Sequence, residues 1–220
     1  MAHKEIDFMR QLIINLRNNE TATKIILWAV FIFNVYAMID LFFMNDSFMG
    51  VLERLRMFTN ISNILAFITV GLFILKQNEK PWYKYLAVIS LVAILMTGII
   101  YHALLADPNM SFQNHVVHTI NPALFPIFYY LLVRPSIKFY HAWVSLILPL
   151  FYFGIILAIG PWTNWYPYNF MDPTLPDASL GSVLVFCLGV LFPVIVVFTL
   201  ILISLKTLLE NTLNKGAVTK

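Results

Sequence analysis

Residues 85–105 read YLAVISLVAILMTGIIYHALL, a run without a single Asp, Glu, Lys or Arg. A bilayer's hydrocarbon core, about 30 Å thick, is crossed by roughly 20 mostly apolar residues in a helix. The stretch therefore predicts a transmembrane span. Its apolar residues are consecutive, whereas a membrane-barrel strand would alternate over about ten residues. Five further runs of this kind flank it: Ile25–Met44, Thr59–Leu75, Val116–Val133, His141–Gly160 and Gly181–Leu205. Breakers separate them: Asn45-Asp46, the Gln77–Pro81 stretch, Asp107-Pro108-Asn109, Arg134-Pro135 and the Pro-rich segment from Gly160 to Pro176. The first run is too long for a secretory signal, and Met44-Asn45-Asp46-Ser47 offers no small-x-small cleavage site, so it is expected to stay in the protein. No repeat or linker of soluble-domain size intervenes. The reading is all-α: one integral membrane domain over residues 1–220, a single bundle of six transmembrane helices.

Composition points the same way. Hydrophobic residues make up 60% of the chain and charged residues 11%, against about half and a quarter in soluble domains. A soluble fold, a disordered chain and a nucleic-acid binder are all disfavoured. The 5 Trp, 10 Tyr and 19 Phe suit interfacial aromatic belts. One Cys rules out an internal disulfide and any paired-thiolate site. Cations set the orientation. Lys4, Arg10, Arg17 and Lys24 precede the first run; Lys76, Lys80 and Lys84 lie in the second loop, Arg134 and Lys138 in the fourth, and Lys206, Lys215 and Lys220 at the end. In a six-span arrangement these fall on one side, leaving only Arg54 and Arg56 on the other. Both termini are accordingly expected in the cytoplasm.

That topology gathers the reactive candidates in one layer beneath the outer surface. Asp40 lies near the outer end of helix 1, Thr59 opens helix 2, His102 ends helix 3, and His115 and His118 open helix 4. The long fifth loop adds Tyr166, Asp172 and Asp177. Groups within two turns of a helix end share a layer roughly 10 Å deep, and polar residues in a membrane usually face the bundle interior or a wet cavity.

Thr59, Ser62 and Asn63 are spaced i, i+3 and i+4, on one helix face. Thr59 is either a helix cap, with Ser62 and Asn63 joining helices, or a nucleophile that needs an adjacent base such as His. In Asn114-His115-Val116-Val117-His118-Thr119, two histidines one turn apart can bind metal, act as base or bond a neighbouring helix. Pro122 has no N–H to give the carbonyl of His118, so the helix should loosen there. His102 could complete a three-histidine zinc site with His115 and His118, leaving a fourth position for water. His141 and His3 lie too far from this layer. The loop from Trp162 to Pro173 is either an aromatic belt or a lid, and Asp172 could then orient a histidine. Cys187 reads as apolar filling.

Met57-Phe58-Thr59, then Asn114-His115-x-x-His118-Thr119 with a following Pro, then Tyr166-Pro-Tyr-x-Phe occur in that order. Together they resemble the androgen-induced-protein family of six-span membrane proteins and its bacterial relatives. The resemblance runs from helix 1 to helix 6. It implies a catalytic pair at Thr59 and His118, because eukaryotic members use a Thr and a His at the matching positions to hydrolyse fatty acid esters of hydroxy fatty acids. It also implies a multi-pass protein of a bacterial plasma membrane.

The leading expectation is an intramembrane lipid-ester hydrolase needing neither cofactor nor metal. Ser62, Asn63, Asn114, His115, His102, Tyr166 and Asp172 are its candidate supporting residues, and Asn63, Asn114 or helix-start amides would stabilise the oxyanion. Membrane lipids are the expected partners, with a lipid ester as substrate and no nucleic acid. The alternatives are a zinc hydrolase built on His102, His115 and His118, and a non-enzymatic lipid-binding protein.

Overall fold

The computed structural model describes residues 2–44, 47–105, 108–134 and 136–214, apart from the side chains of residues 2–4, 6 and 7. Every regular element among them is helical. Helix α1 (Ala2–Asn18) is followed at once by α2 (Glu20–Phe43). Asn19 makes that junction, its side chain accepting from Ala22 N at 3.0 Å. Then come short α3 (Phe48–Leu55), α4 (Phe58–Ile74) and α5 (Tyr83–Leu105). Helix α6 comprises Phe112–His115, a wide π-turn at Val116–Ile120 and Asn121–Leu132. Helices α7 (Phe139–Thr163) and α8 (Leu180–Asn214) complete the chain.

Helices α2, α5, α7 and α8 are long and apolar enough to cross a membrane. A fifth crossing is added if α3 and α4, bent by 89° at their junction, are taken together. Helix α6 falls outside this set, because its first half carries Gln113, Asn114, His115, His118 and Asn121. Helices α1 and α3 are outside the six runs read from the sequence. Helix α1 is amphipathic and too charged to register as a span, and α3 is only two turns long.

The bend between α3 and α4 frees backbone carbonyls, and two buried side chains take them up. Asn60 Nδ2 donates to Arg54 O at 2.7 Å, and the Tyr152 hydroxyl donates to Arg56 O at 2.8 Å. Helix α4 packs between α2 and α5; α6 lies against both α2 and α5, and the start of α7 runs along α8. The core around Val92, Ala93, Ile94, Phe125 and Phe128 is fully enclosed by this arrangement.

Small buried polar residues stitch the helices together. Ser62 Oγ of α4 lies 2.7 Å from Thr97 Oγ1 of α5, Thr69 Oγ1 lies 2.6 Å from Ser90 Oγ, and Ser145 Oγ of α7 lies 2.8 Å from Thr199 Oγ1 of α8. Each hydroxyl also lies within hydrogen-bond distance of a carbonyl of its own helix, as Ser62 Oγ does of Thr59 O at 2.8 Å, so one proton of each pair bridges the helices and the other turns back. No polar atom in these pairs is left unpaired, which is why they are tolerated inside an apolar bundle.

At the end where α6 stops, Lys206 of α8 is wholly buried. Its ammonium donates to the carbonyls of Tyr129 and Tyr130, both at 3.1 Å, and of Val133 at 2.7 Å. These are among the last carbonyls of α6, which lack intrahelical partners. Glu210, one turn on, is 3.0 Å from Lys206 and 2.7 Å from Arg17 of α1, and Arg17 also donates to Tyr130 O at 2.7 Å. Both terminal helices are thus fastened to one helix end.

Candidate functional site

Among the described residues three helices widen into π-turns: α5 at Tyr101–Leu105, α6 at Val116–Ile120 and α8 at Cys187–Leu191. Such turns insert a residue and re-aim side chains, and they recur at functional sites. In α6 the cause is legible: Pro122 cannot bond back to His118 O, so the preceding turn opens. All three turns contribute to the wall of one cavity.

That cavity is lined by Thr59, Tyr101, His118, Tyr152, Phe153, Tyr168, Phe170 and Cys187 among others. Most of its wall is apolar. Beyond Thr59, Tyr101, Leu105, His118 and Tyr168, which border both spaces, lies a vestibule edged by Arg54, Asn60, Gln113 and Asn114. The polar groups therefore sit at the mouth and the hydrocarbon-like surface lies behind them.

Close helix packing brings Thr59 and His118 to this one space. A Cβ on Gly98 of α5 would come within 2.7 Å of Pro122 Cβ and 3.2 Å of His118 O, so the absent side chain is what lets α6 press against α5. The His118 ring stacks on Tyr101 with centroids 3.8 Å apart and planes 20° off parallel. Its Nδ1 is buried without a hydrogen-bond partner among the described residues.

Thr59 does not cap α4. The helix begins at Phe58, and its cap residue, Met57, supplies no side-chain bond. Instead Tyr168, arriving from the loop between α7 and α8, shares the wall of the cavity with Thr59, and its phenol feels the Thr59 hydroxyl and the backbone of Phe58 and Thr59. Burial pushes the Tyr168 phenol above the usual tyrosine range, and hydrogen bonding at Thr59, Phe58 and Tyr152 only partly opposes this. The phenol stays protonated at neutral pH. The sequence pointed to Tyr166 in this loop, but Tyr166 packs against Gly160, where a Cβ would lie 2.3 Å from its ring. Tyr168 stacks on Phe170 at 5.3 Å, and with Met171 the two form the cover of the cavity.

Several other candidates take structural places. Asn63 Nδ2 donates to Thr59 O at 2.8 Å and Val117 O at 3.3 Å, and its Oδ1 accepts from Asn121 Nδ2 at 2.8 Å. Both its amide bonds go to backbone carbonyls, and it ties α4 to α6. Asn121, which the sequence reading passed over, is the other half of that tie. Ser62 is spent on Thr97 and Thr59 O. Asp172 Oδ1 accepts from Thr174 N at 2.8 Å and Thr174 Oγ1 at 2.6 Å, closing its own loop and bonding no histidine. Asp40 is held by Arg54 and Gln113. Asp107 lies outside the described residues. Asn114 borders the vestibule, while His115 is exposed.

His102 Nε2 is 2.9 Å from Thr119 Oγ1. Among the described residues no three His, Cys, Asp or Glu side chains gather closely enough to hold a metal ion. The three-histidine zinc arrangement is therefore corrected. A spacing of one turn puts His115 and His118 on neighbouring, not coincident, directions, and His102 finds a nearer partner in Thr119.

No family model matches this sequence, and no curated protein or solved structure matches it either.

Proposed function

We propose that the chain is a six-span membrane protein with both termini cytoplasmic, related to the androgen-induced-protein family. In this reading it is a threonine hydrolase of lipid esters in a plasma membrane. One observation carries the proposal: Thr59 and His118, on different helices and far apart in sequence, line the same largely apolar cavity.

A threonine hydroxyl becomes a nucleophile when a neighbouring base takes its proton. Thr59 Oγ1 bonds to the ester's acyl carbon as its proton passes to His118. The bond from that carbon to the alcohol oxygen then breaks, and the alcohol leaves with the proton from His118. Water attacks the acyl-threonine and gives its proton to His118. The Thr59 oxygen departs with that proton, releasing the carboxylic acid. Charge developing on the carbonyl oxygen is met by the neutral Tyr168 hydroxyl, Asn114 and the first amides of α4, donors best placed near the mouth. The apolar interior accommodates an acyl chain.

A fluorophosphonate probe tests this directly. Phosphorus should bond to Thr59 with loss of fluoride, giving a labelled protein that Thr59→Ala does not give. Equal labelling of both proteins would overturn the assignment. The second reading, a lipid-binding protein without turnover, rests on the same apolar lining. It would be favoured by a lipid that copurifies intact with wild type and stays unhydrolysed on incubation.

A further inference from the structure

At the end of the bundle opposite Thr59 and His118, two clefts meet at one residue. Arg134 follows the last turn of α6, whereas His118 lies near its first, so the two sites are separated by the length of the helix. One cleft is bordered by Lys80, Lys84 and Arg134, the other by Arg134, Lys138, Tyr140 and Asn211. Three lysines thus flank Arg134 across the two clefts.

Two carboxylates border the clefts, Glu79 and Glu210. Glu210 is already held by Arg17 and Lys206 at 2.7 and 3.0 Å. Glu79 is exposed and lines the first cleft beside Lys80 and Lys84, so that cleft holds three cations to one acid. Among the described residues neither Arg134 nor Lys138 is paired with an acid; Lys138 only rests over the Tyr140 ring at 5.5 Å. Exposed cations left without counter-ions in a concave site favour an anion with several acceptor oxygens.

The surroundings identify which anion. Trp82, Phe139, Tyr140 and Trp143 are all about half exposed or more at this end, the placement of aromatic side chains at a bilayer–water boundary. Basic pockets between membrane helices at that depth bind phospholipid head groups. We infer that the two clefts around Arg134 form a binding site for the phosphate head group of an anionic phospholipid. This site is separate from the proposed hydrolase cavity and does not depend on it.

Native mass spectrometry of the full chain, titrated in detergent with phosphatidylglycerol or phosphatidylcholine, tests the inference. Wild type should retain phosphatidylglycerol preferentially. Each neutralised cation should weaken retention about fivefold, so Arg134→Gln/Lys138→Gln should lose most of the preference. Arg134→Lys should keep it, and so should Lys24→Gln, whose lysine pairs with Glu20 at 2.6 Å elsewhere on the surface. Equal retention of the two lipids by wild type, or an unchanged preference in the double variant, would overturn the proposal. So would displacement of the lipid by inorganic phosphate, which would make this a site for the free anion. Should the double variant not fold, the comparison of the two lipids on wild type and Arg134→Lys still decides.

Discussion

Thr59 and His118 have distinct jobs in the proposed chemistry, and their variants should fail differently. Thr59→Ala removes the nucleophile, so ester turnover and fluorophosphonate labelling should both vanish with the melting temperature unchanged. His118→Gln should retain Thr59 but lose the base, lowering turnover about 10²–10⁴-fold in a single-turnover ester assay. Tyr168→Phe is the more discriminating test. It deletes a hydroxyl beside Thr59 while keeping the ring that stacks on Phe170. Turnover should fall roughly fivefold to tenfold, the worth of one neutral hydrogen bond, with substrate binding little changed. Unaltered rates would show that the phenol only caps α4.

Helix junctions carry the next layer of the design. Gly98→Ala would drive a methyl group to 2.7 Å from Pro122 Cβ. Overpacking of this kind costs about 1–3 kcal/mol, and it would also part α5 from α6, on which Tyr101 and His118 stack. Thermal unfolding and turnover should therefore drop together. Lys206→Met should cost about 3–5 kcal/mol, the range for breaking a buried charged pair, because three carbonyls of α6 lose their donor. A stability loss below 1 kcal/mol would mean that other groups close that helix end. These joints were only partly legible in sequence. The π-turn at Val116–Ile120 follows from Pro122 by a local rule, and so could be read. The burial of Lys206 could not: a lysine near a helix end ordinarily reaches for water, and only the convergence of α6, α8 and α1 gives it partners inside.

For the whole molecule, the proposed topology makes a sharp claim. With Cys187 replaced by Ala, single cysteines near residue 3 and residue 215 should react only with a reagent that enters the cytoplasm. One near Thr174 should react from outside, and labelling of the two termini from opposite faces would exclude an even number of spans. Hydropathy alone determined that the chain forms helices long and apolar enough to cross a membrane, because a continuous apolar run forces the backbone to satisfy itself within one helix. The six-span expectation gathered the polar residues at common helix ends, and the resemblance singled out Thr59 and His118 among them. Which of those residues meet was decided by tertiary packing. Asn63 turned to the backbone, Asp172 to Thr174, His102 to Thr119 and Tyr166 to Gly160, while Tyr168 reached Thr59. Sequence spacing fixes a side chain's direction about its own helix axis. Its partner depends on how neighbouring helices are rotated and how closely they approach, and here that was set by one glycine, a proline and a long loop folding back.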